Sequence, residues 1–260
     1  MRAQDYAYFE SRFVALAHRG GAGYGPNVGR ENTVHAFAQA IALGYRYLET
    51  DVHATADGVL AAFHDEILER VTDAAGRVAA LPWSEVSQAR VAGTDPIPTL
   101  DELLETFPEA RFNIDIKSDG AVKPLVRALR RHGAETRVCV GSFGIHRIRA
   151  FRRMAGPEVA TAASRLGVAW YAFAPVARRL ADPVGVALQI PPRTFADRLP
   201  LLTRSLVEIA HRSGRVVHVW TINDRAEMER LIDLGVDGLV TDRIDILKDV
   251  LERRGLWEGV

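Results

Sequence analysis

Short apolar runs alternate along this chain with longer stretches in which apolar residues recur every third or fourth position. The runs read as strands buried on both faces, and the stretches as amphipathic helices. Eight strand candidates follow: Val14 to Ala17, Tyr45 to Val52, Arg111 to Lys117, Arg137 to Ser142, Val159 to Ala163, Gly185 to Ile190, Arg215 to Thr221 and Val236 to Thr241. Helical spacing covers Thr33 to Leu43, Leu100 to Thr106, Ala121 to His132, His146 to Met154, Pro200 to Ser213 and Arg225 to Leu234. Gly44, Gly133, Gly214 and Gly235 follow four of these stretches, where a left-handed residue can close a helix. Eight βα units in 260 residues match the size of a (β/α)8 barrel. The pattern therefore predicts an α/β fold, a TIM barrel, with residues 1–260 forming a single domain.

One segment breaks the alternation. Residues 53–99 intervene between strand 2 and the helix that precedes the third strand, and they read as a small insertion between strand 2 and helix 2. It opens as a hairpin, because Asp57-Gly58 is a two-residue type I′ turn signal between two apolar runs. That register pairs positions whose numbers sum to 115 and sets Asp51 opposite His64. There is no linker rich in Gly, Ser or Pro, no charge block and no repeat beyond the βα alternation.

Charge and composition narrow the function. Thirty-three Lys and Arg balance 33 Asp and Glu, so the chain lacks the overall basic excess of a non-specific nucleic-acid binder, and any anion must be held locally. The lone Cys139, in Arg-Val-Cys-Val, reads as a buried strand residue and rules out an internal disulfide framework. The amino terminus carries acidic and basic residues before any apolar run, unlike a secretory signal. The longest apolar stretch, Gly167 to Ala177, has 11 residues and contains Pro175, whereas a spanning helix needs about 20. These features point to a soluble, cytoplasmic protein with no stable membrane insertion.

The candidate chemistry sits at strand ends. Residues two apart in a strand share a face, so Glu49 and Asp51 project together, and Asp115 and Lys117 repeat the arrangement one βα unit later. Three carboxylates at neighbouring strand ends could supply hard oxygen ligands to one Mg²⁺ or Ca²⁺; an ordinary salt-bridged strand end is the alternative for each taken singly. His18 ends the first strand, followed by Arg19 and two glycines that would let a ligand approach the backbone. Arg19 can grip a phosphate bidentately. His64, returned by the hairpin, pairs with His18 as a possible general acid and general base. His35, His132, His146 and His211 read as surface or capping residues, His53 as pointing to the opposite face from Asp51, and His218 as alternating away from the neighbours of Trp220.

The strings AHRGG, ENT (Glu31 to Thr33), ETDVHATADGVLAAFHD, NIDIK, VWTIND and GVDGLVTD resemble, in order and spacing, the glycerophosphodiester phosphodiesterase family. The resemblance covers roughly residues 14–247, and segment 66–100 looks like the family's insertion. It implies a TIM barrel that hydrolyses glycerophosphodiesters to glycerol 3-phosphate and an alcohol with one divalent cation. By residue it implies His18 and His64 as catalytic, Glu49, Asp51 and Asp115 as metal ligands, and Arg19 and Lys117 as phosphate contacts. Glu31 and Asn32 would orient the site from behind, and Trp220 would form a pocket wall or fill the barrel core.

Two departures bear on specificity. Asp115 stands where the family more commonly has glutamate, and the rim loop Gly20 to Arg30 looks longer than usual. The head group, the choice between magnesium and calcium, the attacking hydroxyl (the substrate's own or water) and the oligomeric state stay open. Two other readings compete with this one. The first is phospholipase D-like action on lysophospholipids, with the AWYAFAPVA segment before Arg178 and Arg179 as an interfacial patch. The second is a non-catalytic barrel, against which the full set of site residues argues.

Overall fold

All eight apolar runs form strands. The computed structural model of the protein describes residues 1–164, 167–168, 185–192 and 202–259. The strands are β1 (Val14–His18), β2 (Tyr47–Ala54), β6 (Arg111–Ile116), β7 (Val138–Gly141), β8 (Ala160–Thr161), β9 (Ala187–Ile190), β10 (Val216–Val219) and β11 (Gly238–Thr241). They pair in parallel in the order β8-β7-β6-β2-β1-β11-β10-β9. A parallel bridge between Ala162 and Ala187 joins the two ends of this order, so the ring is a nearly closed eight-stranded barrel.

Period-two alternation divides each strand between two cores. Leu48, Val52, Phe112, Ile114, Val138, Val140, Val217, Val219 and Leu239 face outward beneath the helices. Leu16, Tyr47, Cys139, Val216 and Val240 face inward, together with Tyr6, Tyr8 and Phe9 of the amino-terminal segment, which fills the amino-terminal end of the barrel. The apolar helix faces cover the outer core: α1 (Val34–Ala42), α3 (Leu100–Thr106), α4 (Val122–Arg131), α5 (Ile145–Ala155), α6 (Arg204–Arg212), α7 (Arg225–Leu234) and α8 (Ile244–Arg253). Side-chain caps start several of them: Thr33 accepts from Ala36 N at 3.2 Å and Asp224 from Glu227 N at 2.9 Å. Cys139 is fully buried, and burial pushes its thiol up to about 12, as befits an inert core residue.

The insertion carries β3 (Leu60–Ala62), the short helix α2 (Trp83–Val86), β4 (Arg90–Val91) and β5 (Asp95–Pro96) around its own small core of Phe63, Leu68, Val78, Val86 and Ile97. Its hairpin is shifted by one residue from the expected register. Val52 pairs with Ala62 and Ala54 with Leu60, so partners sum to 114. The turn spends three residues rather than two: Thr55 N bonds Val59 O at 2.9 Å, Gly58 N bonds Thr55 O at 3.0 Å, and Gly58 takes φ +84°. This is a turn ending in a left-handed glycine, which adds one residue on that side. Phe63 N, not His64, therefore bonds Asp51 O, at 3.0 Å. The AWYAFAPVA segment and Arg178 and Arg179 lie outside the described residues, as do Pro200 and Leu201. Among the described residues no helix is long and apolar enough to cross a membrane.

Two histidines face the interior, His53 contrary to the sequence expectation. The two-residue period places His53 on the face of Asp51, and His218 on that of Trp220. His218 is fully buried beside the Phe9 ring at 5.9 Å, and neither ring nitrogen has a hydrogen-bond partner. Burial pushes its imidazole down to about 4. The folded protein thus keeps His218 neutral while the unfolded chain binds a proton below a pKa of about 6.5. Stability contributed above that pH is lost as pH falls towards 4, by about 3 kcal/mol. His218→Leu should remove this loss. Urea unfolding of both proteins from pH 7 to pH 4 is expected to show the variant gaining on the wild type as pH falls; a constant difference would contradict the assignment.

Candidate active site

Register gathers the charged residues at one mouth of the barrel. His18 is the Cα partner of Glu49, and Asp51 of Asp115, at the carboxyl ends of β1, β2 and β6. Glu49 and Asp51 are 6% and 2% exposed. Carboxylates so buried require compensation. Arg19 donates its backbone N–H to Glu49 Oε2 at 3.1 Å and sets its guanidinium Nε 3.2 Å from Asp51 Oδ2. Lys117 Nζ lies 2.9 Å from Asp51 Oδ1 and 2.6 Å from Asp115 Oδ2, bridging the two strands.

Protonation equilibria register the balance. Burial and the neighbouring Asp51 charge push Glu49 up to about 7. Burial alone would raise Asp51 too, but Lys117 and Arg19 hold it below the usual carboxylate range. Lys117 is held well above the ordinary amine value: burial opposes the charge, and Asp51 and Asp115 outweigh burial. Among the described residues no three His, Cys, Asp or Glu side chains form a ready ion cage.

Each candidate histidine is backed by a carboxylate. His18 Nδ1 is 2.6 Å from Asp242 Oδ1, and its Nε2 is 3.9 Å from Glu49 Oε2. Asp242 is fixed in turn by Asn223, whose Nδ2 donates to Oδ2 at 2.8 Å and whose Oδ1 accepts from the Asp242 backbone N–H at 2.9 Å. Burial disfavours the His18 cation, yet Glu49 and Asp242 raise its pKa overall. His64 Nδ1 is 2.5 Å from Asp65 Oδ1. His53 Nε2 reaches the His64 carbonyl at 3.1 Å, so this interior histidine fixes the backbone that presents His64. With each Nδ1–H given to a carboxylate, both Nε2 atoms are left to meet a substrate.

The sequence offered weak signals for these supports. Asp65 adjoins His64 and Asp242 directly follows the last strand, but nothing in the sequence itself turns either towards a histidine ring. Arg70, from the insertion, was also missed. It binds Glu31 through two nitrogens at 3.0 and 2.6 Å and also pairs with Asp65. Since Glu31 accepts from Arg19 at 3.0 Å, an ionic chain runs from Arg19 through Glu31, Arg70 and Asp65 to His64.

The rim loop is packed rather than open. Gly20 and Gly21 adopt φ +86° and +87°, and a Cβ at either would strike Ala36 or Ile244 at under 3 Å. Close packing against α1 and α8 requires glycine at both positions. Arg30 grips Asp95 of the insertion at 2.5 and 2.7 Å and pins the end of the loop. Trp220 lies half-buried on the barrel's inner face, 5.7 Å from the ring of Phe143, an exposed rim residue over which Lys117 Nζ sits at 5.4 Å.

Asn32 joins loop to site. It is 1% exposed, its Nδ2 donates to Asp51 Oδ2 at 3.2 Å, its Oδ1 accepts from Thr50 Oγ1 at 2.8 Å, and its φ is +58°. Asn tolerates this left-handed conformation and alanine pays about 1 kcal/mol for it. Asn32→Ala should therefore be less stable than Asn32→Gly in urea unfolding, the reverse of the usual order of these residues. Equal or greater stability of the alanine variant would contradict the account.

Residues 18–246 match the profile of the Glycerophosphoryl diester phosphodiesterase family. A probable glycerophosphodiester phosphodiesterase 2 of Mycobacterium tuberculosis is 38% identical over 252 residues, covering 95% of this chain and 93% of the relative. A glycerophosphodiester phosphodiesterase of Caldanaerobacter subterraneus subsp. tengcongensis is 30% identical over 257 residues, 93% of this chain and 99% of the relative. The crystal structure of a putative glycerophosphoryl diester phosphodiesterase from Silicibacter pomeroyi superposes with a TM-score of 0.80 at 25% identity, over 96% of this chain and 99% of that one. With a barrel mouth that joins two carboxylate-backed histidines to a cluster of acids, an arginine and a lysine, the chain belongs to the glycerophosphoryl diester phosphodiesterase family and is a phosphoric diester hydrolase.

Proposed function

We propose that the protein hydrolyses glycerophosphodiesters to glycerol 3-phosphate and an alcohol, with His18 and His64 dividing the proton transfers. The observation that carries this is the pairing of two imidazoles, each with Nδ1 on a carboxylate, around Arg19 and Lys117 at one mouth. Arg19 and Lys117 receive the non-bridging oxygens of the phosphodiester. One histidine takes the proton of the attacking hydroxyl at Nε2. The other gives a proton to the departing alcohol as the P–O bond breaks, so that charge accumulates on neither oxygen.

The donor set fits a hard divalent cation, Mg²⁺ or Ca²⁺. Three carboxylates converge there beside Arg19 and Lys117, and burial first, then the neighbouring Asp51 charge, raises the Glu49 pKa. Glu49, Asp51 and Asp115 would hold the ion, with Lys117 turning aside on its flexible stem. When bound, such an ion polarises the phosphoryl group and stabilises charge on its oxygens. Glu31 and Asn32 keep Arg19 and Asp51 in place.

Turnover of glycerophosphocholine, read as glycerol 3-phosphate release with and without chelator, tests the reading. His18→Ala and His64→Ala should each lower kcat by about 10² to 10⁴. Chelation should abolish turnover, and added Mg²⁺ or Ca²⁺ should restore it. Full turnover in both single variants, or indifference to chelator, would overturn the assignment.

A further inference from the structure

The chain as a whole is neutral, with 33 basic and 33 acidic residues, but one side of the barrel is not. Helices α4 and α5 together carry eight Lys and Arg and no Asp or Glu, leaving 25 basic against 33 acidic residues elsewhere. The linear sequence hides this, because β7 separates the two helices. The fold sets them side by side, and Arg130 of α4 donates to the carbonyl of Met154 at the end of α5 at 2.6 Å.

Each helix buries an apolar face, Val122, Leu125, Val126 and Leu129 on α4 and Ile148 and Phe151 on α5. Their opposite faces expose Lys123, Arg127, Arg130, Arg131, Arg149 and Arg153. Helical spacing of three or four residues aligns Lys123, Arg127 and Arg130 along α4, and Arg149 and Arg153 along α5. Among the described residues, no carboxylate lies within ion-pair distance of Lys123, Arg127, Arg149 or Arg153, whereas Arg131 pairs with Asp101 at 2.9 Å and Arg147 with Asp119 at 2.5 Å. Two of the large exposed hydrophobics flank the same patch: Phe143, 46% exposed, just before α5, and Met154, 39% exposed, at its last turn.

We propose that the α4–α5 face docks the protein reversibly on a bilayer rich in anionic phospholipid. A basic surface edged by exposed apolar side chains is the composition that adsorbs at the headgroup level without spanning. Two neighbouring helices make a broad face, with no element projecting from it to enter the groove of a duplex. Its basic positions are not interleaved with aromatics that could stack unpaired bases. Phe143 also touches the barrel mouth, through Trp220 and Lys117, so docking would bring the mouth to the edge of the membrane surface.

Each basic side chain near an anionic surface strengthens adsorption roughly fivefold, so losing four should weaken it by several hundredfold at most. The test is flotation of the full-length protein with vesicles of phosphatidylcholine alone and of phosphatidylcholine mixed with phosphatidylglycerol, in low salt and near 1 M salt, where the Debye length is about 3 Å. The comparison protein is the Lys123→Gln, Arg127→Gln, Arg149→Gln, Arg153→Gln variant. The expected result is binding of the wild type to the anionic vesicles only, lost in high salt and lost in the variant. Turnover of soluble glycerophosphocholine by the variant should stay unchanged, which also reports that it has folded. Equal binding to neutral vesicles, no binding to anionic ones, retention of binding by the folded variant, or preferential binding of duplex DNA would overturn the proposal. A variant that fails to turn over the soluble substrate would be replaced by the two pairwise variants, Lys123→Gln with Arg127→Gln and Arg149→Gln with Arg153→Gln, each expected to weaken binding roughly 25-fold.

Discussion

Two nearly buried carboxylates, Glu49 and Asp51, facing a third, Asp115, are the constraint around which the barrel mouth is organised. Desolvated carboxylates are tolerated only beside positive charge or strong donors, and removing one partner of a buried pair typically costs about 3 to 5 kcal/mol. The surrounding parts answer that demand. Arg19 takes a left-handed backbone at φ +50° while its N–H meets Glu49, Lys117 spans two strands, and Asn32 caps Asp51 from a buried loop. Even so, burial and the neighbouring Asp51 charge keep the Glu49 pKa raised.

Barrel closure and the insertion extend this cluster into a site with two sides. Closure brings Asp242, just past the last strand, to within 2.6 Å of His18 on the first, although 224 positions separate them in sequence. On the other side the insertion returns His64 to the rim and sends Arg70 back to Glu31, so the element that supplies one histidine also braces the arginine beside the other. Arg30 with Asp95 fastens the rim loop to the same insertion. The insertion is therefore part of the site, with its own core to hold it in shape.

Much of this was legible in the residues, for identifiable reasons. Strands buried on both faces are continuous apolar runs, so all eight were readable, and a period of two placed Glu49, Asp51, Asp115 and Lys117 at the mouth. The same rule turns His53 and His218 inward. The hairpin register slipped by one because Asp57-Gly58 suits both a two-residue turn and a three-residue turn ending in left-handed glycine, and sequence alone does not choose between them. Asp242, Arg70 and Phe143 act across distances that only closure and the insertion's fold define. The basic face of α4 and α5 escaped notice for the same reason, since a strand divides it in the chain.

If Glu49, Asp51 and Asp115 hold a divalent cation, as proposed, the substrate-free protein must bind one. Isothermal titration of Mg²⁺ and of Ca²⁺ into the substrate-free protein near pH 7, in two buffers of different ionisation enthalpy, tests it most directly. One binding event with proton release is expected, because Glu49 must shed its proton to bind, and both signals should be lost in Glu49→Gln. No binding of either ion by the wild type, or unchanged binding with the same proton release in Glu49→Gln, would contradict it.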